Sequence, residues 1–215
     1  MIGIVPCDGS NEHWGSSMKE LLPIGEYRWL LDTTIRSLQN AGCERIIIGS
    51  SPSKIGQHLT HVQRLGIKNI SFVLGGSTMW ETLFNMLPYL LSDHCLMMMP
   101  DTLTSLSGWE PTDNDIDFGL FTTDTPERFS IFDDGKIITK PKHFSGGKYQ
   151  AWGVVGWSPR LSKYWLTTMP DDYDEAFSVA MISHSWGTFT LPYYYDFANW
   201  KSYSDYIKEG PQYDS

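Results

Sequence analysis

Three strand–helix–strand alternations fill the first hundred residues, and this pattern restricts the fold more than any other feature of the chain. Short apolar runs lie at Ile2–Pro6, Arg45–Gly49, Ile70–Leu74 and Leu96–Met99. Each reads as a buried strand, because a brief continuous apolar run suits a strand covered on both faces. Between them lie segments of helical period. Within Glu26–Gly42, Leu30, Leu31, Ile35 and Leu38 recur at helical spacing, and Gly42 sits where a helix C-cap belongs. Pro52–Leu65 reads as a second helix. Thr78–Leu91 reads as a third, with Trp80, Leu83, Phe84 and Leu87 on one face. Alternating strands and helices predict a parallel sheet joined by right-handed crossovers. The expected class is therefore α/β: a Rossmann-like mixed sheet, mostly parallel, flanked by helices.

The second half changes character. Phe118–Thr122, Phe129–Asp133, Lys136–Lys140 and Tyr149–Trp157 read as strands, with Asp133-Asp134-Gly135 as a hairpin turn. Asp174–His184 reads as a helix, Thr188–Tyr195 as a strand and Phe197–Lys208 as a closing helix, followed by a polar tail from Glu209. A chain of 215 residues without an internal repeat or linker-like stretch suits one domain.

Charge and cysteine usage exclude several classes. The net charge is −9 and no run of Lys or Arg occurs, so no basic face for nucleic acid is expected. A small anion remains compatible, since a few lysines and backbone amides can hold it locally. Cys7, Cys43 and Cys95 are odd in number and form no CxxC motif, which points to reduced, buried thiols. The start, Met-Ile-Gly-Ile-Val-Pro, has neither the basic region nor the apolar stretch of a signal peptide. No window approaches the roughly 18–20 apolar residues that span a bilayer. A soluble, cytoplasmic protein with no membrane partner is expected.

Ligands of open α/β sheets bind outside the carboxyl ends of the strands. The Cys7–Met18 loop, the Gly75-Gly76-Ser77 loop and Asp101 all follow such ends, so they converge on one crevice. The first loop carries Gly9, Ser10 and Gly15 and is followed by Lys19. Small residues let backbone amides approach a phosphate, and Lys19 could neutralise one; the alternative is a surface turn with a solvated lysine. Asp101 ends the Met97-Met98-Met99-Pro100 run. Hard Mg²⁺ takes one or two carboxylates plus phosphate oxygens, but Asp is also a favoured helix cap. The same two readings apply to Asp196, between an aromatic strand and the last helix. Lys140, before Pro141, could meet a second phosphate or be a solvated edge lysine. Trp152 and Trp157 could flank a sugar ring or fill the core. His58 and His61 share a helix face but lack a third ligand, so no metal site is expected there.

Taken in order, these pieces resemble the sugar-phosphate nucleotidyltransferases, such as glucose-1-phosphate thymidylyltransferases and uridylyltransferases. The similar segments are the Ile2–Pro6 strand and its loop, KELLPI at Lys19–Ile24, NAGCERIIIG at Asn40–Gly49 and Gly75-Gly76-Ser77. They continue with PDT at Pro100–Thr102, TKP at Thr139–Pro141, AWGVVGW at Ala151–Trp157 and YYDFANW at Tyr194–Trp200. The resemblance implies a GT-A-like fold, with residues 1–110 as the nucleotide half and 111–208 as the sugar-phosphate half. It implies nucleotide contacts at Pro6, Cys7, Asp8, Gly9, Ser10, Lys19, Gly75, Gly76 and Ser77. Sugar-phosphate contacts fall at Thr139, Lys140, Trp152 and Gly153. Mg²⁺ would be held by Asp101 and Asp196, which with Lys19 form the catalytic set. The substrates implied are an NTP and a sugar 1-phosphate, and a homo-oligomer is compatible with the family. The chain departs from the family at several points. Asp8-Gly9-Ser10-Asn11-Glu12-His13-Trp14 lacks the loop arginine, Thr139 stands for a glutamate, and Ala198-Asn199 stands for Gly-Thr. Two alternatives follow: a silent relative that binds nucleotide sugars, and a cytidylyltransferase acting on a non-sugar phosphate. A glycosyltransferase is disfavoured, because Asp101-Thr102-Leu103 lacks a second Asp.

Overall fold

The computed structural model describes residues 1–8, 18–26, 28–133, 135–141, 143 and 147–209, except for the side chain of Asp174. The first half contains β1 (Ile2–Pro6), β2 (Pro23–Gly25), β3 (Arg28–Trp29), α1 (Leu30–Asn40), β4 (Arg45–Ser50), α2 (Ile55–Leu65), β5 (Ile70–Leu74), α3 (Met79–Met86), β6 (Cys95–Met98) and β7 (Thr102–Leu103). The second contains β8 (Ile116–Thr123), β9 (Ile131–Asp133), β10 (Lys136–Ile138), β11 (Tyr149–Trp157), α4 (Pro159–Thr168), α5 (Tyr173–Ser183), β12 (Trp186–Thr190), β13 (Tyr195–Asp196) and α6 (Trp200–Glu209).

The strands β6, β1, β4 and β5 lie side by side and run parallel, as the alternation requires. The sheet continues from β6 through antiparallel β11 to β8, and β12 lies parallel to β8 at the far edge. Strand β9 also pairs with β11, at Ala151, beyond the Val154–Trp157 stretch that pairs with β6, and β10 follows it as a hairpin. Gly135 in that turn has φ 74°, a conformation that glycine adopts without strain. One sheet therefore runs through both halves of the chain.

Side-chain alternation splits the core into two layers. Ile4, Ile47 and Met97 face α3, α4 and α5, whose Trp80, Trp165 and Phe177 fill that side. Val5, Ile46, Ile48 and Met98 face α1 and α2, meeting Leu31, Ile35, Leu38 and Val62. A third cluster packs Phe197, Tyr203 and Tyr206 on Leu22, Ile24, Leu30 and Leu103. Cys7, Cys43 and Cys95 are free and buried, as expected. No helix among the described residues is long and apolar enough to cross a membrane.

Several boundaries differ from expectation for local reasons. Helix α1 starts at Leu30 rather than Glu26, because Pro23–Gly25 and Arg28–Trp29 pair as the β2–β3 ladder. The expected Thr188–Tyr195 strand is two pieces in different sheets, broken around Pro192, which has no N–H to donate. The last helix begins at Trp200, and Asn199 caps it by accepting from the Ser202 N–H at 3.0 Å. Asp196 is thus a strand residue, and its reading as a helix cap is overturned. Helix α4, whose buried face is Leu161, Ser162 and Trp165, has no counterpart in the sequence expectations.

His58 and His61 make separate contacts. His61 pairs with Asp32 at 2.7 Å, and His58 Nδ1 lies 2.8 Å from the Ser50 hydroxyl in full burial. Burial, with Lys54 and His61 nearby, pulls the His58 imidazole from its ordinary 6.5 down to about 4. The unfolded chain then binds the extra proton first. Stability is present above pH about 6.5 and is lost as pH falls toward about 4, by on the order of 3 kcal/mol. Urea unfolding between pH 7 and 5 is expected to show this slope, and His58→Gln is expected to flatten it.

Candidate active site

The site is built on a two-stranded sheet, β7 with β13. Chain leaving β6 passes through Asp101 into β7, which pairs antiparallel with β13 so that Thr102 faces Asp196. The Phe197 N–H donates to the Asp101 carbonyl at 2.9 Å. Two aspartates distant in sequence thereby become diagonal neighbours at the carboxyl end of the parallel strands.

Each carboxylate is met by a cation. Lys19 stands on a short 3₁₀ turn, Lys19–Leu21, and its Nζ lies 2.6 Å from Asp101 Oδ2. Glu20, next in sequence, is fully buried and pairs with Lys54 at 3.0 Å. Arg128 ends the Pro126–Arg128 turn and places Nη2 2.5 Å from Asp196 Oδ2. Asp196 Oδ1 accepts the Ala198 N–H at 3.0 Å. Burial raises the Asp196 pKa and the neighbouring Asp101 charge adds to this, against the pull of Arg128. Burial alone would depress Lys19, but the Asp101 charge and hydrogen bond prevail and its pKa is raised. The result is an acidic pair held close, each carboxylate paired with its own cation, with Asp196 disfavoured in its ionised form by burial and by Asp101.

These groups line a cavity of about 240 Å³. Of the residues singled out from sequence, Pro6, Lys19, Asp101, Lys140, Trp152, Gly153 and Asp196 border it. Arg128, Phe129, Ser130, Tyr173 and Tyr194 border it as well and were not anticipated. Gly153 is the extra residue of a β-bulge between Trp152 and Val154. A Cβ there would collide with the Tyr194 ring, which in turn stacks on Phe121 at 4.0 Å between centroids and 11° between planes. Trp152 and Tyr173 meet edge-on at 5.8 Å and 74°, forming an aromatic corner. Lys140 sits at φ 34°, an unusual conformation for a residue with a side chain. Trp157 is instead a core residue bonded to Ser162 at 2.9 Å.

Cys7, Asp8, Gly75, Gly76, Ser77 and Thr139 do not border this cavity. The Asp8 carboxylate lies across Gly75 and accepts the Thr82 hydroxyl, and burial raises its pKa. The amides of the glycine loop bond inside the fold: Gly75 to the Ser50 carbonyl, Gly76 to Thr82 and Ser77 to Glu81. Thr78 and Glu81 complete a capping box that starts α3. Gly9 and Ser10 lie outside the described residues. Arg128 had no local signal in the sequence, since its partner Asp196 arrives only through the β7–β13 register.

No protein-family model matches the chain, and no curated protein sequence does either. Solved structures do match its fold. One, from Bacillus anthracis, is named a glucose-1-phosphate thymidylyltransferase in complex with a sucrose; it aligns with TM-score 0.83 and 14% identity over 97% of this chain and 95% of that one. Another, HddC from Yersinia pseudotuberculosis, aligns with TM-score 0.72 and 15% identity over 97% of this chain and 98% of that one. The chain therefore shares its fold with these proteins along nearly its whole length.

Crowding at the bulge provides a direct check on the cavity wall. Gly153→Ala is expected to destabilise the protein by about 1–3 kcal/mol, the usual range for overpacking. Gly56→Ala, at an open position in α2, is expected to stabilise it by about 0.4–1 kcal/mol. Chemical denaturation of both variants measures the contrast.

Proposed function

We propose that this chain is a Mg²⁺-dependent nucleotidyltransferase that joins an NTP to a sugar 1-phosphate and releases pyrophosphate. The observation that carries the reading is one cavity in which the carboxylates of Asp101 and Asp196 stand among Lys19, Arg128 and Lys140. The fold shared with a structure named as a glucose-1-phosphate thymidylyltransferase supports it. The donor set fits Mg²⁺: two carboxylates and no third acidic, His or Cys ligand among the described residues, leaving positions for phosphate oxygens and water. Once bound, Mg²⁺ supplies neutralisation of phosphate charge.

The residues of the chain supply position and charge. Lys19 steadies the triphosphate, and Lys140 holds the sugar phosphate across the cavity. An oxygen of the sugar phosphate then attacks the α-phosphorus in line, the new P–O bond forms, and the bond to pyrophosphate breaks with its electron pair. No covalent enzyme intermediate is needed, so rate comes from alignment and electrostatic stabilisation. Trp152 and Tyr173 border the cavity as apolar wall on which a sugar ring would rest.

A second reading is a relative that binds nucleotide sugars without turnover. The glycine-loop amides bonded within the fold, with Asp8 laid over Gly75, favour it. One assay separates the two. Pyrophosphate release with Mg²⁺, each NTP being tested against a pool of sugar 1-phosphates, is expected for one NTP. Asp101→Asn is expected to lower the rate by about 100-fold or more, the scale of one electrostatic contact in a transition state. Full turnover in Asp101→Asn refutes the role given to Asp101. Nucleotide-sugar binding without pyrophosphate release favours the silent relative.

A further inference from the structure

Both carboxylates of the site are already neutralised by the protein itself. Lys19 holds Asp101 Oδ2 at 2.6 Å and Arg128 holds Asp196 Oδ2 at 2.5 Å. The two pairs are not equivalent. Asp101 keeps Oδ1 without a partner among the described residues, so a cation can join it while Lys19 stays. Asp196 has both oxygens engaged, Oδ2 by Arg128 and Oδ1 by the Ala198 amide. The Ala198 bond is fixed by the backbone next to β13. Arg128 is the partner that can leave.

Its surroundings give it somewhere to go. The Arg128 side chain is 34% exposed and leans over the Phe129 ring, 5.4 Å from the centroid. It borders the main cavity and also a second one of about 440 Å³, which shares Phe129, Tyr194 and Asp196 with the first and is lined further by Thr125 and Lys148. The guanidinium therefore stands between two open volumes. A divalent cation seated on Asp196 would lie within a few ångströms of it and repel it strongly. A planar guanidinium released into the main cavity is a natural ligand for phosphate oxygens.

We propose that Arg128 is an exchangeable placeholder: it occupies Asp196 while no divalent cation is bound, and cation binding displaces it toward a substrate phosphate. The proposal rests on the metal and phosphate reading given above. It makes cation and polyphosphate binding mutually reinforcing, because the cation removes Arg128 from its acidic partner and makes it available to the anion. It also supplies the cavity with a guanidinium although the Asp8–Trp14 stretch has none. A purely structural Arg128 has the opposite signature, because losing the bridge would loosen β13 and weaken every ligand.

The test uses Mn²⁺ alone and inorganic pyrophosphate alone as probes, and does not depend on turnover. Calorimetry or Mn²⁺ spin resonance on the intact protein is expected to show that Arg128→Gln binds Mn²⁺ about three- to tenfold more tightly than wild type, the scale of removing one partly exposed ion pair and its repulsion. Asp196→Asn is expected to lose that site. Mn²⁺ is expected to strengthen pyrophosphate binding in the wild type and to do so less in Arg128→Gln. Because a variant can misfold, arginine side-chain NMR of the wild type during a Mg²⁺ titration gives a second readout, and one guanidinium signal is expected to shift. Mn²⁺ binding that needs Asp196 but is unchanged or weaker in Arg128→Gln overturns the placeholder role and leaves the metal site standing. So does a Mg²⁺ titration that saturates without moving any guanidinium signal. Absence of Mn²⁺ binding in the wild type overturns both the placeholder and the metal reading.

Discussion

The site depends on one backbone hydrogen bond and the two-residue ladder beside it. When the Phe197 N–H meets the Asp101 carbonyl and Thr102 pairs with Asp196, two carboxylates are forced together at the mouth of the sheet. A ladder this short is not self-sustaining in water. It is held from behind by Phe197, Tyr203 and Tyr206, which pack on Leu22, Ile24, Leu30 and Leu103. The Tyr203 hydroxyl also donates to the Pro23 carbonyl, tying α6 to the segment that carries Lys19. An aromatic cluster thus anchors both an acidic residue and a basic residue of the site.

That arrangement opposes stability locally. Burial and the charge of Asp101 disfavour the ionised form of Asp196, and Lys19 and Arg128 offset only part of this. Strain of this kind concentrates where charge must later be exchanged for a ligand. Contrast Asp115, which accepts from Ser158, Ser185 and Arg160 and whose pKa is lowered by those bonds despite its burial. Asp115 is held in its ionised form by its bonds, whereas burial and the neighbouring Asp101 push Asp196 toward its neutral form.

How much of this could be read from sequence follows from where the information is stored. The parallel strands were legible because burial on both faces leaves continuous apolar runs such as Arg45–Gly49. Lys19, Asp101 and Asp196 were legible as an ordered series, each following a strand end or a turn, and Lys140 and Trp152 came with them into one cavity. Arg128 was not, because Pro126-Glu127-Arg128 looks like any polar turn until β13 delivers Asp196. Tyr173 and Tyr194 reach the cavity through the packing of α5 and through the absent Cβ of Gly153, neither of which leaves a local pattern. The split of Thr188–Tyr195 turned on Pro192 outweighing the β-propensity of the residues around it. Pro6 ends the first strand and Cys7 and Asp8 follow it, as expected, yet only Pro6 borders the cavity, because Asp8 turns toward Gly75 and Thr82.

The central claim is that Asp101 and Asp196 act as one cation site facing a nucleotide. It is tested most directly by crystals grown with Mn²⁺ and a non-hydrolysable NTP, read by the anomalous scattering of manganese. An anomalous peak bridging the Asp101 and Asp196 carboxylates, with triphosphate oxygens beside it and Lys19, is the result required. A nucleotide bound away from this cavity, or manganese bound without either aspartate, contradicts it.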